Sequence, residues 1–325
     1  CEVGVGSVSN DRNYSMNPKI LIILLTRNPG DFAPQWIRAQ QLQSTPHDVL
    51  VIDTESSDGS PWLWKEAGYR LKFITQSAFN HGGTRQLGLE SSGGYEFLVY
   101  MTQDALLKNA DSIEQLTKPF VDQQIAAVCG RQLPHQNANP IAAHARGFNY
   151  PAESRVYSIG DVPHVGIKAA FLSDSFAAYR RSALQEIGGF PHTVIFGEDF
   201  QVACKFLQAG LKIAYAAEAE AFHSHNYTPI EEFRRYFDAG VSHRLDSWMI
   251  DLLGSASTEG FRFIKSESLY LLRQHPTWIP RSLIQNMFKY LGYRLGLNYG
   301  LLPHRLRKQF SYDSSFWTRQ SARLA

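Results

Sequence analysis

The stretch "YEFLVYMTQDALL", residues 95–107, decides how the chain folds. Phe97, Leu98, Val99, Tyr100 and Met101 form a short apolar, β-prone run that reads as a buried strand. The run exits into Thr102, Gln103 and Asp104 before apolar character resumes at Ala105. A carboxylate at the exit of a buried strand is either a turn residue or part of a site. Open α/β folds bind ligands at the carboxyl edge of a parallel sheet.

Outward from this strand the pattern alternates up to about residue 225. Strands are expected at 19–25, 47–53, 70–75, 125–132 and 212–223. Helices are expected at 33–43, 60–68, 81–92 and 110–122, and over "SALQEIGGF" and "EDFQVACKFLQAGL". This implies an α/β fold with a largely parallel sheet and helices on both faces. Residues 133–165, rich in Pro, Asn, His and Gly, read as a long functional loop or lid. After Pro229 helical patterns dominate, with many aromatics and arginines.

Of the 325 residues, 44% are hydrophobic and 19% charged, which marks a globular chain and excludes a disordered one. The formal charge of +2 hides an asymmetry. Residues 1–228 carry 18 Lys/Arg against 22 Asp/Glu, and residues 229–325 carry 14 against 8. The basic C-terminal third fits an anionic partner such as a phospholipid surface, or a solvated helical region. No nucleic-acid partner is expected. Cys1, Cys129 and Cys204 form neither a disulfide framework nor a zinc pattern, so a reducing compartment fits. No apolar run approaches the ~20 residues that span a bilayer. Residues 1–17 carry no signal-peptide pattern and read as an N-terminal tail, with Met16 a candidate start.

Several segments carry chemistry. Strand one exits into Thr26, Arg27 and Asn28, strand two into "DTESSDGS" from Asp53, and strand four into "TQDA". All converge on one sheet edge. Asp53 can accept a hydrogen bond from a pyrimidine N–H, and Asp104 can bind a hard divalent cation. Each alone also fits a turn or a helix cap. In "FNHGGTRQLG", 79–88, Gly82 and Gly83 permit close backbone approach and Arg85 offers a planar fork for a diphosphate. The glycine spacing matches neither a P-loop nor a dinucleotide fingerprint. Glu198 and Asp199 open a helix, where the macrodipole favours them, and Asp199 suits a general base. His223 and His225 share a strand face and can complete a metal site with Asp104, or form a surface pair.

In this order, "ILIILLTRNP", "VLVIDTESSDGS", "FNHGGTRQLG", "VYMTQDA", "YRRSALQEIGGF", "GEDFQVACKFLQAG" and "FHSHNYTPIEEFRRYFDAG" resemble the family 2 glycosyltransferases of GT-A fold. More narrowly, the chain resembles bacterial rhamnosyltransferases of O-antigen and capsule assembly, over about residues 18–318. The resemblance implies a catalytic domain at 18–228 and a helical C-terminal region at 229–325. It implies Thr26, Arg27, Asp53, Gln103 and Asp104 on a nucleotide-sugar donor, with Arg85 near its diphosphate. Asp104 takes the place of the last acid of the Asp-x-Asp motif, and Thr102 replaces the first, which weakens the case for strict metal dependence. His223 matches the metal-associated histidine, for Mg²⁺ or Mn²⁺, and Asp199 the general base. Asp174 and Glu198 lie on the acceptor side. The implied reaction inverts the anomeric centre, with dTDP-β-L-rhamnose the leading donor and a UDP- or GDP-sugar the alternative. The implied acceptor is a saccharide, or a lipid-linked saccharide at the cytoplasmic face of the inner membrane.

Two other readings remain. A nucleotidyltransferase also places acids at strand ends, but "TRNPGDFAP" lacks its Gly-rich basic segment. A non-catalytic saccharide- or nucleotide-binding scaffold draws support from Thr102. Finally, 282–296 sets Leu283, Ile284, Met287, Phe288, Leu291 and Leu295 along one helical stripe flanked by Arg281, Lys289 and Arg294. That stripe fits a helix docked on the catalytic domain, or one lying on anionic lipid as a peripheral contact.

Overall fold

Strand β1 (Ile20–Thr26) is apolar over nearly its whole length because both its faces are covered. The computed structural model describes residues 19–254 and 257–324, and the tail expected at 1–17 lies outside the described residues. After β1 come α1 (Phe32–Gln41), β2 (Asp48–Thr54), α2 (Ser60–Glu66), β3 (Arg70–Ile74), α3 (His81–Glu90) and β4 (Phe97–Thr102). They are followed by β5 (Leu106–Leu107), α4 (Ser112–Thr117), β6 (Ile125–Leu133), α5 (Pro140–Asn149) and β7 (Arg155–Tyr157). Next are α6 (Val162–Val165), β8 (Phe176–Arg180), α7 (Arg181–Glu186), α8 (Glu198–Gln208) and β9 (Lys212–Phe222). The helical remainder is α9 (Pro229–Leu245), α10 (Trp248–Leu253), α11 (Ser257–Gln274), α12 (Ile279–Leu297), α13 (His304–Phe310) and α14 (Ser314–Leu324).

The sheet runs β3-β2-β1-β4-β8-β6-β9-β5, with β7 also on β9. The parallel expectation holds across β3, β2, β1 and β4, and again between β6 and β9. Strand β8 breaks it, lying antiparallel to both β4 and β6. "FAAYR" is short and has no polar alternation, because it is buried on both faces. The inversion matters for the site. An antiparallel strand begins where its neighbours end, so Asp174, just ahead of β8, arrives at the same edge as Asp104.

Side chains of β1 alternate between two cores. Leu21 and Ile23 face one, with Tyr100, Tyr179 and Phe206; Ile20, Ile22 and Leu24 face the other, with Trp36 and Trp64. Residues 133–165 are not the long loop expected from their composition. Asn139 caps α5 by accepting from Ala142 N at 2.9 Å, and Pro140 stands in the first turn. The polar residues read as loop are helix punctuation.

Helix α12 docks on α9, within the C-terminal region, through Ser282, Gln285, Lys289, Gly292 and Gly296. The apolar stripe read from 282–296 is divided: Phe288 and Leu295 pack inward, while Leu283, Ile284, Met287 and Leu291 are exposed. Glycine permits this seat. A Cβ at Gly292 would sit 2.3 Å from Phe233 O, and one at Gly296 would sit 2.1 Å from Phe237 O, both on α9.

Candidate active site

Sheet register sets the strand ends side by side. Thr26 lies opposite Asp53 across β1 and β2, and Leu25 opposite Thr102 across β1 and β4. Gln103 ties the ends together: its Oε1 accepts from Thr26 Oγ1 at 3.0 Å and from Arg27 N at 2.8 Å. Arg27 Nη2 donates to Gln76 Oε1 at 2.8 Å. Asp53 is fully buried; Oδ1 accepts from Ser56 N at 2.9 Å, and Oδ2 has no hydrogen-bond partner among the described residues. A buried acceptor oxygen left unpaired is costly, and here it suits an N–H donor from a ligand. Asn28 and Glu55 adopt positive φ in the two loops beside it. Backbone strain of this kind gathers at binding sites.

The second cluster also follows from register. Strand β5 pairs antiparallel with β9, Leu106 opposite Phe222, so the chain carries Asp104 past the residues that follow β9. Asp104 Oδ2 lies 3.5 Å from His223 Nε2 and 3.6 Å from His225 Nε2. The three ligand atoms lie within 4.8 Å of one another. Ligands held at about 2.1 Å around one cation stand roughly 3–3.5 Å apart, so the spacing fits a single ion. Protonation agrees. Burial disfavours the charged Asp104 carboxyl, but His223, His225 and the Thr102 hydroxyl beside it together outweigh that and hold the carboxyl well below its usual range. Burial pushes both histidines down, His225 to about 4, so each presents a neutral imidazole at neutral pH.

The His223 tautomer is fixed from behind. Its Nδ1 lies 2.8 Å from Gln132 Oε1, and Arg146 Nη1 donates to that same oxygen. A guanidinium only donates, so the shared Gln132 atom is the oxygen, and His223 Nδ1 must carry the proton. The Nε2 lone pair then faces Asp104. This is the second-sphere arrangement that orients metal-binding histidines.

A third cluster sits at the start of α8. Arg85 Nε pairs with Asp174 Oδ2 at 2.5 Å, and Arg85 Nη1 with Glu198 Oε1 at 2.6 Å. Asp199 Oδ2 accepts from Asp174 N at 3.2 Å and Oδ1 from Phe200 N at 2.8 Å. Asp174 also accepts from the Tyr179 hydroxyl. One guanidinium thus pairs with two carboxylates, and Asp199 is held beside them by backbone N–H groups. Burial first, then the charges of Glu198 and Asp174, push Asp199 up to about 8. Burial likewise pushes Asp174 up to about 6, against the pull of Arg85. Burial pushes Glu198 up, but the charges of Arg85 and His81 and a backbone hydrogen bond together outweigh it and hold the carboxyl below its usual value. A carboxyl raised toward neutrality is suited to proton transfer.

Placement of Arg85 differs from the expectation. It is buried in this acid cluster, with both faces of its fork engaged by carboxylates, rather than turned to the Asp104 cluster. A buried cation needs paired charge, and α3 delivers it between Asp174 and Glu198. Gly82 lets α3 approach this closely: a Cβ there would lie 1.8 Å from Pro191 O.

The two clusters are joined. Gln132 Nε2 donates to Ser173 Oγ at 3.0 Å, and Ser173 adjoins Asp174, whose N–H reaches Asp199. A continuous line therefore runs from Asp104 through His223, Gln132 and Ser173 to Asp199. Patterning brought out Thr26, Asp53, Asp104, His223, Glu198 and Asp199, the family resemblance added Asp174, and strand register and hydrogen bonds place them along one edge. Patterning gave no role to Gln132 or Arg146. Gln132 is a polar residue 1% exposed inside a strand, the one signal that would have marked it.

Fold and sequence together define a glycosyltransferase, and the chain belongs to glycosyl transferase family 2, whose model matches residues 22–188. Among curated proteins it is 45% identical to the O-antigen chain rhamnosyltransferase WbaN of Salmonella anatum over 302 residues, 92% of this chain and 96% of that one. It is 46% identical to the O-antigen chain rhamnosyltransferase RfbN of Salmonella typhimurium over 92% of this chain and 96% of the relative. The fold matches the mannosyltransferase PcManGT of Pyrobaculum calidifontis, solved with GDP-Man and Mn²⁺, at TM-score 0.62, 15% identity and coverage of 87% of this chain and 88% of that one. It also matches S. aureus TarS 1-349 at TM-score 0.52, 14% identity and coverage of 94% and 91%.

Proposed function

We propose that this chain transfers L-rhamnose from dTDP-β-L-rhamnose to a hydroxyl of a lipid-linked saccharide, with inversion, in O-antigen synthesis. The carrying observation is 45% identity to an O-antigen chain rhamnosyltransferase across 92% of the chain. The site geometry supports the chemistry. Asp53 Oδ2 accepts from the thymine N–H, and Thr26 and Arg27, set by Gln103, line the nucleoside. Asp104, His223 and His225 would hold a divalent cation, which would supply positive charge toward a diphosphate leaving group. Two imidazole nitrogens favour Mn²⁺ over Mg²⁺ at this set.

Asp199 removes the acceptor proton. The acceptor oxygen forms its bond to the anomeric carbon as the bond to the diphosphate breaks, and the diphosphate keeps the electron pair. Asp174 and Glu198 are bound to Arg85, while Asp199 makes no ion pair among the described residues, so it is the carboxylate available for this step. No helix among the described residues is long and apolar enough to cross a membrane. The acceptor is met at the cytoplasmic face of the inner membrane.

Calorimetry with dTDP-rhamnose, UDP-glucose and GDP-mannose, each with Mn²⁺ and with EDTA, tests the donor. Selective, Mn²⁺-strengthened binding of dTDP-rhamnose is expected. Preference for another donor removes rhamnose from the reading, and binding of none moves the chain to the scaffold class.

A further inference from the structure

Helices α11 and α12 turn a large share of their apolar side chains to the outside and several polar ones to the inside. Phe261 is 71% exposed, Leu272 60%, Leu283 61% and Met287 51%, and Ile264, Leu269, Ile284 and Leu291 are exposed as well. Inside, Glu267 accepts from Ser282 Oγ and from Asn286 Nδ2. Lys289 Nζ lies 3.4 Å from Glu232, and Gln285 Nε2 donates to Tyr227 O at 2.8 Å. These inward bonds, together with the glycine seat on α9, fix the rotation of α12. Turning the apolar stripe inward would carry Lys289, Ser282 and Asn286 away and leave the buried Glu232 and Glu267 carboxylates without those partners.

On each helix the outward face borders the line where α11 meets α12, marked by Glu267, Ser282 and Asn286. The two faces therefore run on as one surface. Its borders are basic. From 260 to 310 the chain carries nine Lys/Arg and a single acid, Glu267, which is buried. Arg262, Lys265, Arg273 and Arg294 are exposed beside the apolar residues. Trp278 lies at the turn between the helices, and Tyr290 at 62% exposed stands on the face. Aromatics with one wet edge are suited to the headgroup level of a bilayer.

We infer that the joint outer face of α11 and α12 is a membrane-docking surface for anionic phospholipid. This deepens the proposed function and rests on it for its purpose, since it would hold the catalytic edge where a lipid-linked acceptor lies. The apolar stripe enters the acyl boundary while the surrounding cations meet phosphate headgroups. A second copy of this chain would bring like charge against like, which disfavours self-association through the same face.

The test is flotation of the full chain with vesicles of phosphatidylcholine alone and with phosphatidylglycerol added. Binding is expected to the anionic vesicles, falling as salt rises. Leu283→Ser with Met287→Ser and Leu291→Ser should weaken it on the order of a hundredfold. Lys265→Gln with Arg273→Gln should weaken it roughly twentyfold, at about fivefold per cation. Both variants should keep the wild-type melting temperature and the wild-type rate on a water-soluble saccharide acceptor. The inference is overturned if the wild type ignores anionic vesicles, or if the serine variant floats equally well. It is also overturned if sedimentation shows a dimer, broken by the same substitutions, in a chain that binds no vesicle. A chain that floats as expected but transfers no rhamnose overturns the proposed function alone.

Discussion

His223 Nδ1 lies 2.8 Å from Gln132 Oε1, and that oxygen also receives the Arg146 guanidinium. Gln132→Leu removes the acceptor that sets the imidazole, leaving Arg146 unpaired on that side. Mn²⁺ affinity, read by calorimetry without donor, should fall about 10–100-fold. Gln132→Glu keeps an acceptor for both neighbours and should retain most of the binding. Equal affinity in the leucine variant would remove Gln132 from the site.

Thr102→Asp restores a second carboxylate at the exit of β4, two residues from Asp104. A hard cation gains an anionic oxygen in place of a neutral hydroxyl, so Mn²⁺ should bind about tenfold tighter. Unchanged or weaker binding would place residue 102 outside the reach of the ion.

Asp199→Asn removes the proton acceptor while retaining an oxygen for one of the two backbone N–H groups that hold it. The transfer rate should fall by about 10²–10⁴-fold, with donor affinity within twofold of wild type. A variant that still transfers at the native rate would show that another group takes the proton.

The same substitution should move stability in a pH-dependent direction. Folding raises the Asp199 carboxyl to about 8, and Asp174 to about 6. A raised carboxyl favours folding while it is protonated, and that contribution is lost as pH climbs through the folded value. Wild-type stability therefore falls between roughly pH 4 and pH 8 on account of these groups. Asn has no charge to bury, so Asp199→Asn should melt above wild type at pH 8, with the gap narrowing at pH 5. A gap that is constant across this range would mean that the carboxyl is not raised.

Gly296→Ala would drive a Cβ to within 2.1 Å of Phe237 O, where α12 rests on α9. Backbone has to move, so the loss should be about 1–3 kcal/mol, seen as a lower denaturation midpoint. The acid cluster is distant in sequence and held by its own ion pairs, so activity per folded molecule should persist. An unchanged midpoint would mean that the two helices are not seated as described.

Asp53, Asp104, Asp199 and His223 were legible because each breaks a local pattern, a charge or imidazole at the end of an apolar strand or at the head of a helix. The convergence of Asp53 and Asp104 followed from the alternation of strand and helix, while Asp199 and His223 were joined to them through side-chain chemistry and the family resemblance. The partner of Arg85 was not legible, because Asp174 and Glu198 reach it from segments roughly 90 to 110 residues away. Strand β8 was missed since a short run buried on both faces has no periodicity to show. Gln132 and Arg146 were missed because nothing in "GRQL" or "AHARGF" hints that one oxygen will serve two donors. The outward stripe of α12 was visible as a stripe, but its direction is decided by glycines that admit α9.

The three side chains that could share a cation come from both sides of a long interval, Asp104 before it and His223 and His225 after it. Between them the chain must lay down β6, β8 and β9, and Gln132 must already be in place. During synthesis the amino-terminal strands can settle as they emerge. The donor pocket around Asp53 and Gln103 is then complete long before any cation can be held. A chain truncated after residue 210 should therefore bind no Mn²⁺. The ribosome must pass residue 225 before Asp104, His223 and His225 can come together, so this cluster is timed to a late stage of assembly and unfinished copies lack it.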